Sequence, residues 1–370
     1  MTRPFALLAA GGTGGHVFPA EALAAELINR GWHLGLVTDK RGQTYGGTLG
    51  TLDTYRISAG GIAGRGLMAR ARAMLELGFG VLQARTILKK ERPAVVVGFG
   101  GYASVPTMVA AASLGIPTII HEQNGVLGRA NRLLASKARW IAISYPQIAH
   151  VAEASKSKLR HTGMPVRAGV QALASQPYPT LSETGPINLV VLGGSQGAKV
   201  LSEVIPAALT SLPAELQARI HISQQCRPED LEAVRAAYAA SPITATLESF
   251  FADIPARLAG AHLVIARSGA STMAELTTLG RPAILVPYPH AIDDHQTANA
   301  RALDEAGGGW LMPQTGFTAP ALAARLQSLF AQAETLARAA QCAKNSGRPD
   351  AAARLADLVA ETAQVQESRT

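Results

Sequence analysis

The sequence predicts an α/β protein of two domains, each a parallel β-sheet wrapped by helices. Three observations carry this. An apolar run of strand length, Phe5–Ala10, enters the glycine turn Gly11-Gly12-Thr13-Gly14-Gly15 and then a helical pattern. The same succession returns near mid-chain as Ile187–Leu192, Gly193-Gly194-Ser195-Gln196-Gly197 and a helix from Ala198. Short apolar runs alternate with helical patterns through both halves, as parallel βαβ units require. The 370 residues exceed one ordinary core and suit two.

The first helix is expected over Val17–Arg30, with Ala20, Leu23, Ala24, Leu27 and Ile28 on one stripe. Strand, glycine turn and helix together make an anion site, because the turn exposes backbone and the helix start offers N–H groups and a positive dipole end. His33–Thr38 reads as the second strand, ending at Asp39, and Thr54–Ser58 as the third. A flexible loop, Ala59–Gly66, leads to a long helix from about Leu67 to Lys90. It carries Met68, Leu75, Phe79 and Leu82 beside Arg65, Arg70, Arg72, Arg85, Lys89 and Lys90. Two readings stand: an outer helix with a buried stripe and a solvated basic face, or apolar side chains ringed by arginines facing an anionic membrane.

No charged residue lies between Arg92 and His121, a length that could span a bilayer. Gly98, Gly100, Gly101, Pro106, Gly115 and Pro117 divide it, however. It reads as strand (Ala94–Gly98), glycine loop, helix (Ala103–Leu114) and strand (Thr118–His121), all buried in a parallel sheet. Polar residues follow at His121-Glu122-Gln123-Asn124, where open α/β sheets place ligands. Trp140–Ser144 and Lys158–Gly163 complete the first half, and the Pro- and Ser-containing stretch before Pro186 reads as a connection. Strands are then expected at Ile187–Leu192, Ile220–Gln224, Ile243–Leu247, Leu263–Ala266, Ala283–Pro287 and Trp310–Met312. The tail from Pro320 is alanine-rich and helical. Gly347-Arg348-Pro349 breaks it before a last helix with its own apolar stripe.

Composition narrows the chemistry. With 48% hydrophobic and 16% charged residues the chain is globular rather than disordered. A formal net charge of +8 favours anionic partners, yet the basic residues are scattered, which argues against nucleic acid. Cys226 and Cys342 fit neither a metal spacing nor a disulfide framework. No signal peptide is expected, because only Arg3 precedes the first apolar run. The glycine turns lack the third glycine of a dinucleotide fingerprint, and no P-loop, Asp-x-Asp or Gly-x-Ser-x-Gly occurs. Asp39 at a second strand end keeps an NAD(P)-binding protein open as a rival. Asp293-Asp294-His295, the nearest approach to a metal cluster, reads as a helix start. What remains suits a sugar nucleotide whose diphosphate rests on a helix N-terminus, with no metal and no cofactor.

Several motifs, in order and over nearly the whole chain, carry a family resemblance. They are Gly11–His16 with Phe18-Pro19, Gly100-Gly101-Tyr102, His121–Asn124, Gly163-Met164-Pro165-Val166-Arg167, Gly193–Gly197, Arg267-Ser268-Gly269-Ala270 with Glu275, and His295-Gln296 with Asn299. Together they resemble the MurG family, the bacterial UDP-N-acetylglucosamine:N-acetylmuramyl-(pentapeptide) pyrophosphoryl-undecaprenol N-acetylglucosamine transferases. The resemblance implies a GT-B fold of two Rossmann-like domains. The first would span 1–165, joined by a last helix at about 349–370; 166–186 would connect it to the second at 187–348. It implies inverting, metal-independent transfer of N-acetylglucosamine from UDP-GlcNAc to the 4-hydroxyl of the muramyl sugar of lipid I, giving lipid II.

The donor contacts it implies are Thr13, Gly14, Gly15, Asn124 and Arg167, then Ser195, Phe251, Ala270, Ser271, Thr272, Met273, Ala274, Glu275 and Gln296. Glu275 can accept from two ribose hydroxyls, and the Ala270–Met273 amides and Ser195 suit the diphosphate. Phe251 would offer backbone groups to uracil. Gly100, Gly101 and Tyr102 would face the acceptor. The base that an inverting transfer needs is His16, with His121 and Glu122 as alternatives. Its partners would be UDP-GlcNAc, polyprenyl-anchored lipid I, an anionic membrane surface and other cell-wall or division proteins, with no nucleic acid. The implied place is the cytoplasmic face of the bacterial inner membrane, held peripherally. The rivals are another GT-B transferase, which would lack the acceptor-side motifs, and a binding module without catalysis.

Overall fold

The computed structural model describes residues 3–12, 14–39, 46–59, 67–101, 104–194 and 197–367. The chain forms two compact units. One holds the residues up to Arg167 and those from Asp350 onward; the other is Ala168–Pro349.

The first unit is a seven-stranded parallel sheet. Its strands are β1 (Phe5–Ala9), β2 (His33–Asp39), β3 (Asp53–Ile57), β4 (Val95–Gly98), β5 (Thr118–Glu122), β6 (Trp140–Ile143) and β7 (Leu159–His161). The spatial order is β3-β2-β1-β4-β5-β6-β7, so the winding reverses between β1 and β4. Helices α1 (Gly14–Asn29), α2 (Leu67–Glu91), α3 (Ser104–Ser113) and α4 (Arg129–Ala135) cross between strands. The strands read as unbroken apolar runs because both faces are covered. Ala6, Leu8, Val95 and Val97 join one core with Leu23 and Leu27 of α1. Leu7 and Val96 join the other, with Ala84 and Leu88 of α2 and Met108 of α3. The uncharged stretch before His121 is thus β4, α3 and β5, and no helix among the described residues is long and apolar enough to cross a membrane.

Helix α1 starts at Gly14, three residues before the apolar periodicity begins, because glycines contribute nothing to that pattern. His16 therefore belongs to the first helical turn. In α2 the buried positions are Ala73, Gly80, Ala84 and Leu88, mostly small. A Cβ on Gly80 would collide with the Ser58 carbonyl. This close seating sends the larger side chains outward: Met74, Leu75, Phe79 and Leu82 are all more than half exposed. Met68 and the Arg65 and Arg70 side chains lie outside the described residues.

The second unit repeats the plan with β8 (Ile187–Leu192), β9 (Ile220–Gln225), β10 (Thr244–Glu248), β11 (Leu263–Ala266), β12 (Ala283–Leu285) and β13 (Gly309–Leu311). Their order, β10-β9-β8-β11-β12-β13, is parallel throughout and reverses between β8 and β11. Its helices are α5 (Ala168–Gln171), α6 (Lys199–Thr210), α7 (Ala214–Gln217), α8 (Leu231–Tyr238), α9 (Ile254–Ala259), α10 (Ala270–Leu279), α11 (His295–Glu305), α12 (Ala319–Phe330) and α13 (Ala333–Ser346). The stretch before β8 packs on this unit. Tyr178 Oη donates to the His262 carbonyl at 2.8 Å, and the fully buried Arg281 donates to the carbonyls of Pro177, Leu258, Ala259, Leu279 and Gly280. Burial lowers the Arg281 pKa to about 10, which keeps its charge at neutral pH.

The last helix, α14 (Ala351–Glu367), belongs to the first unit. Its Leu355, Ala356, Leu358, Val359 and Ala363 complete the core shared with α1. Arg30, just past the end of α1, fixes its register, donating to Asp357 at 2.5 Å and to the Ala353 carbonyl at 3.2 Å.

Candidate active site

In an open α/β sheet, ligands bind beyond the strand C-termini where the winding reverses. Each unit has one such point, and each carries glycine loops there.

In the first unit the loops after β1 and β4 press together. Gly12, Gly100 and Gly101 have φ of 90°, 90° and 77°, a region that side chains rarely adopt. A Cβ on Gly101 would lie 2.5 Å from the Gly11 carbonyl oxygen, and one on Gly100 would lie 2.9 Å from His16 Cε1. Both glycines are thus required by close approach, and together they seat the half-buried His16 ring at the start of α1. Gly14 and Gly15 open that helix. Gly14 rests against Phe18, whose ring lies 5.0 Å from the Arg167 guanidinium carbon. Thr13 and Tyr102, two expected contacts, lie outside the described residues.

The loop after β5 is organised from within. The Glu122 side chain is buried and accepts from the Asn124 backbone N–H (3.1 Å), Asn124 Nδ2 (3.2 Å), the Gly128 N–H (2.8 Å) and Asn131 Nδ2 (2.8 Å). Both carboxylate oxygens are therefore engaged in shaping the turn that carries Asn124. His121 is fully buried in β5, with Nε2 3.2 Å from the Gly163 carbonyl. A carbonyl only accepts, so Nε2 carries the proton. Burial lowers the His121 pKa to about 4; the bond to Gly163 opposes that shift and the nearby His16 adds to it. His121 is neutral at pH 7. Gln123 ties β5 to the neighbouring loop, donating to the Phe99 carbonyl at 2.7 Å.

In the second unit the reversal point lies between Gly193–Gly197 and the loop into α10. Gly194 and Gly197 have φ of 80° and 69°, and a Cβ on Gly193 would meet the Ala198 nitrogen at 2.7 Å. Ser195 lies outside the described residues. Helix α10 begins after Gly269, which is extended and has no side chain to cap it. The N–H groups of Ala270, Ser271 and Thr272 consequently have no intrahelical acceptor and point out of the helix start. Ala270, Ser271, Thr272 and Ala274 are half-buried, whereas Met273 and Glu275 are buried.

Two residues outside the expected contact set hold this loop. Arg267 reaches the carbonyls of Val286 (3.0 Å) and Pro287 (2.9 Å) and Gln314 Oε1 (2.7 Å), joining the segments that follow β11, β12 and β13. Ser268 donates to the Gln296 carbonyl at 2.8 Å, and its own carbonyl accepts from Asn299. Gln296 Oε1 accepts from the Tyr288 N–H at 3.0 Å. Just before α11, Asp293 and Asp294 hold φ of 53° and 52°, backbone strain next to a candidate ligand-binding residue. The Phe251 side chain is buried under the Arg257 guanidinium, 4.2 Å from the ring centre, so only its backbone suits a ligand. Arg267 and Ser268 stand in a motif visible in the sequence, but nothing in hydrophobic periodicity marks a buried arginine.

Models of glycosyltransferase family 28 match both halves: the N-terminal domain at residues 6–143 and the C-terminal domain at 188–355. A protein of Paramagnetospirillum magneticum named UDP-N-acetylglucosamine--N-acetylmuramyl-(pentapeptide) pyrophosphoryl-undecaprenol N-acetylglucosamine transferase is 66% identical over 357 residues, covering 96% of each chain. A protein of the same name from Rhodospirillum rubrum is 60% identical, over 96% of this chain and 91% of its own. Among solved structures, MurG of Acinetobacter baumannii superposes with a TM-score of 0.78 at 30% identity, over 97% of this chain and all of that one. The calicheamicin glycosyltransferase CalG4 shares the fold alone, with a TM-score of 0.66 at 17% identity over 98% of each chain. Two Rossmann-like units with glycine loops at their reversal points, matched along nearly their whole length by these relatives, place the chain in glycosyltransferase family 28.

Proposed function

We propose that the protein transfers N-acetylglucosamine from UDP-GlcNAc to the 4-hydroxyl of the muramyl sugar of lipid I, forming lipid II for peptidoglycan. The relatives at 60% and 66% identity carry that activity in their names. One observation carries the residue roles: in the first unit His16 is seated against Gly100, where the loops after β1 and β4 meet.

His16 takes the proton of the acceptor hydroxyl as its oxygen attacks the anomeric carbon, and UDP leaves from the opposite face with inversion. The alternatives are less suited to this. Neutral, fully buried His121 offers its Nε2–H to a carbonyl, and the Glu122 carboxylate is engaged by four donors. Negative charge builds on the departing diphosphate, and the uncapped start of α10 suits it without further charge. Glu275 serves the ribose, Phe251 the uracil through its backbone, and Gln296 the transferred sugar. Asn124, Arg167, Gly14 and Gly15 complete the donor contacts, with Gly100 and Gly101 on the acceptor side.

The acceptor's polyprenyl chain requires work at a membrane surface. The outward row Met74, Leu75, Phe79 and Leu82 on α2, with exposed Arg72 beside it, suits peripheral attachment to the cytoplasmic face of the bacterial inner membrane. Incubation with labelled UDP-GlcNAc and a short-chain lipid I analogue, in EDTA, tests the function. A β-linked disaccharide on the lipid is expected. Hydrolysis of the donor without transfer, or transfer only to an unrelated acceptor, would exclude it.

A further inference from the structure

One arginine of the second unit lies across the glycine turn that follows β8. Arg227 stands two residues past the end of β9, the strand beside β8, so its loop adjoins Gly193–Gly197 at the ligand end of the sheet. Its stem crosses Gly197: a Cβ on that glycine would lie 2.4 Å from Arg227 Cγ and 3.4 Å from Cδ. Gly197 is in turn folded against Gly193, whose own Cβ would lie 2.8 Å from the Gly197 Cα. The Gly197 N–H donates to the Gly194 carbonyl at 3.1 Å. The turn thus closes on itself and is covered by a side chain from the neighbouring loop.

That side chain is fixed at both ends. Pro228 opens a short 3-10 turn, Pro228–Asp230, in which the Asp230 N–H donates to the Arg227 carbonyl at 2.9 Å. The turn brings the Asp230 carboxylate to the guanidinium. Arg227 Nε and Nη2 donate to Asp230 Oδ2 and Oδ1, both at 2.7 Å, and Nη1 pairs with Glu229 Oε1 at 3.0 Å. A two-pronged bond of this kind fixes the plane of the guanidinium as well as its position. The Arg227 and Asp230 side chains are 26% and 14% exposed, so the pair is partly withdrawn from solvent. The guanidinium holds the Asp230 carboxyl below the usual carboxylate range, which keeps the pair ionised at neutral pH. All three guanidinium nitrogens are engaged by carboxylates, which leaves the stem, not the charge, to act on the glycine turn.

We propose that Arg227, locked by Asp230, is a positioning residue for donor binding: its stem holds the Gly193–Gly197 turn in the shape that receives the donor's diphosphate. Backbone N–H groups bind an oxyanion tightly only when their directions are fixed beforehand, and glycines supply no such rigidity themselves. This role rests on the donor reading above, in which the turn carries a diphosphate contact. An arginine waiting to swing onto the phosphate would instead need Asp230 to release it. The two arrangements predict opposite effects of weakening the carboxylate's hold.

Calorimetric titration of the full chain with UDP, and displacement of UDP by uridine, separate them. Both are run in about 0.5 M salt, so that a change of charge several ångströms from the ligand is largely screened. Arg227→Ala should weaken UDP roughly tenfold and leave uridine within about twofold, because uridine carries no phosphate for the turn to hold. Asp230→Asn should weaken UDP in the same direction. Arg227→Lys, which keeps a stem but not the paired bond, should fall between Arg227→Ala and wild type. Arg227→Ala combined with Asp230→Asn should bind UDP no more weakly than Arg227→Ala alone, since both changes act through one pair. Tighter UDP binding by Asp230→Asn would overturn the proposal and make Arg227 a phosphate ligand in waiting. Equal losses of UDP and uridine would overturn it by showing support of the whole unit, and unchanged UDP binding in Arg227→Ala would remove the role outright. A wild type that does not bind UDP would overturn the donor reading itself, and this role with it.

Discussion

At the scale of single residues, the sequence shows which polar groups cluster but not how each is occupied. His121, Glu122 and His16 look interchangeable as bases in a string of letters. Folding separates them: His121 sits within a central strand, Glu122 is enclosed by the turn it shapes, and His16 stays half-buried at a helix start. The difference arises from strand register and from a loop closing on its own carboxylate, which local patterns do not encode. The burial of His121 has a consequence for pH. Its pKa falls from 6.5 to about 4 on folding, so the unfolded chain takes up this proton first. The contribution is intact above pH 6.5 and is lost as pH falls from there towards 4. Acidification from pH 7 to 5 should cost about 2 kcal/mol through this residue alone. Urea unfolding of His121→Gln, which keeps a donor for Gly163, should show a correspondingly flatter pH dependence; an unchanged slope would remove His121 as its source.

At the scale of elements, strands were legible because parallel sheets bury both faces, and among the described residues the twelve expected strands appear close to their positions, with β7 in addition. Helix starts were less so: α1 begins inside its glycine turn, where hydrophobic periodicity is silent. The α2 helix is more instructive. Its Leu75, Phe79 and Leu82 resemble a core stripe in sequence, yet small residues take the packed face and leave these outside. Helix periodicity identifies a stripe but not which of two stripes meets the sheet; here Gly80 decides, through its fit against Ser58. Phe79→Asp should reduce co-sedimentation with anionic liposomes, and salt of about 1 M should weaken the wild type through screening. Binding insensitive to both would remove α2 from the membrane contact.

At the scale of the whole molecule, two α/β units were foreseeable from repeated strand–glycine–helix units, and a last helix from the apolar stripe after Pro349, whereas its return to the first unit was implied only by the family resemblance. The site of docking was not legible from composition, since the stripe fits any apolar groove. The structure seats it on α1, with Arg30 reaching Asp357. Five apolar residues of α14 enter the first unit's core, and their burial contributes several kcal/mol, comparable with the net stability of a domain. A chain ending at Pro349 should therefore lose or sharply lower the first unit's calorimetric transition while the second unit's persists. Two intact transitions would show that α14 is dispensable for folding.

The assignment of His16 as the base is the claim on which the catalytic roles turn. Steady-state transfer by His16→Ala, with UDP-GlcNAc and a short-chain lipid I analogue, tests it most directly. Loss of the base should lower kcat by about 100-fold or more, with donor affinity nearly unchanged. A defect confined to KM, with kcat retained, would contradict it and reduce His16 to a binding residue.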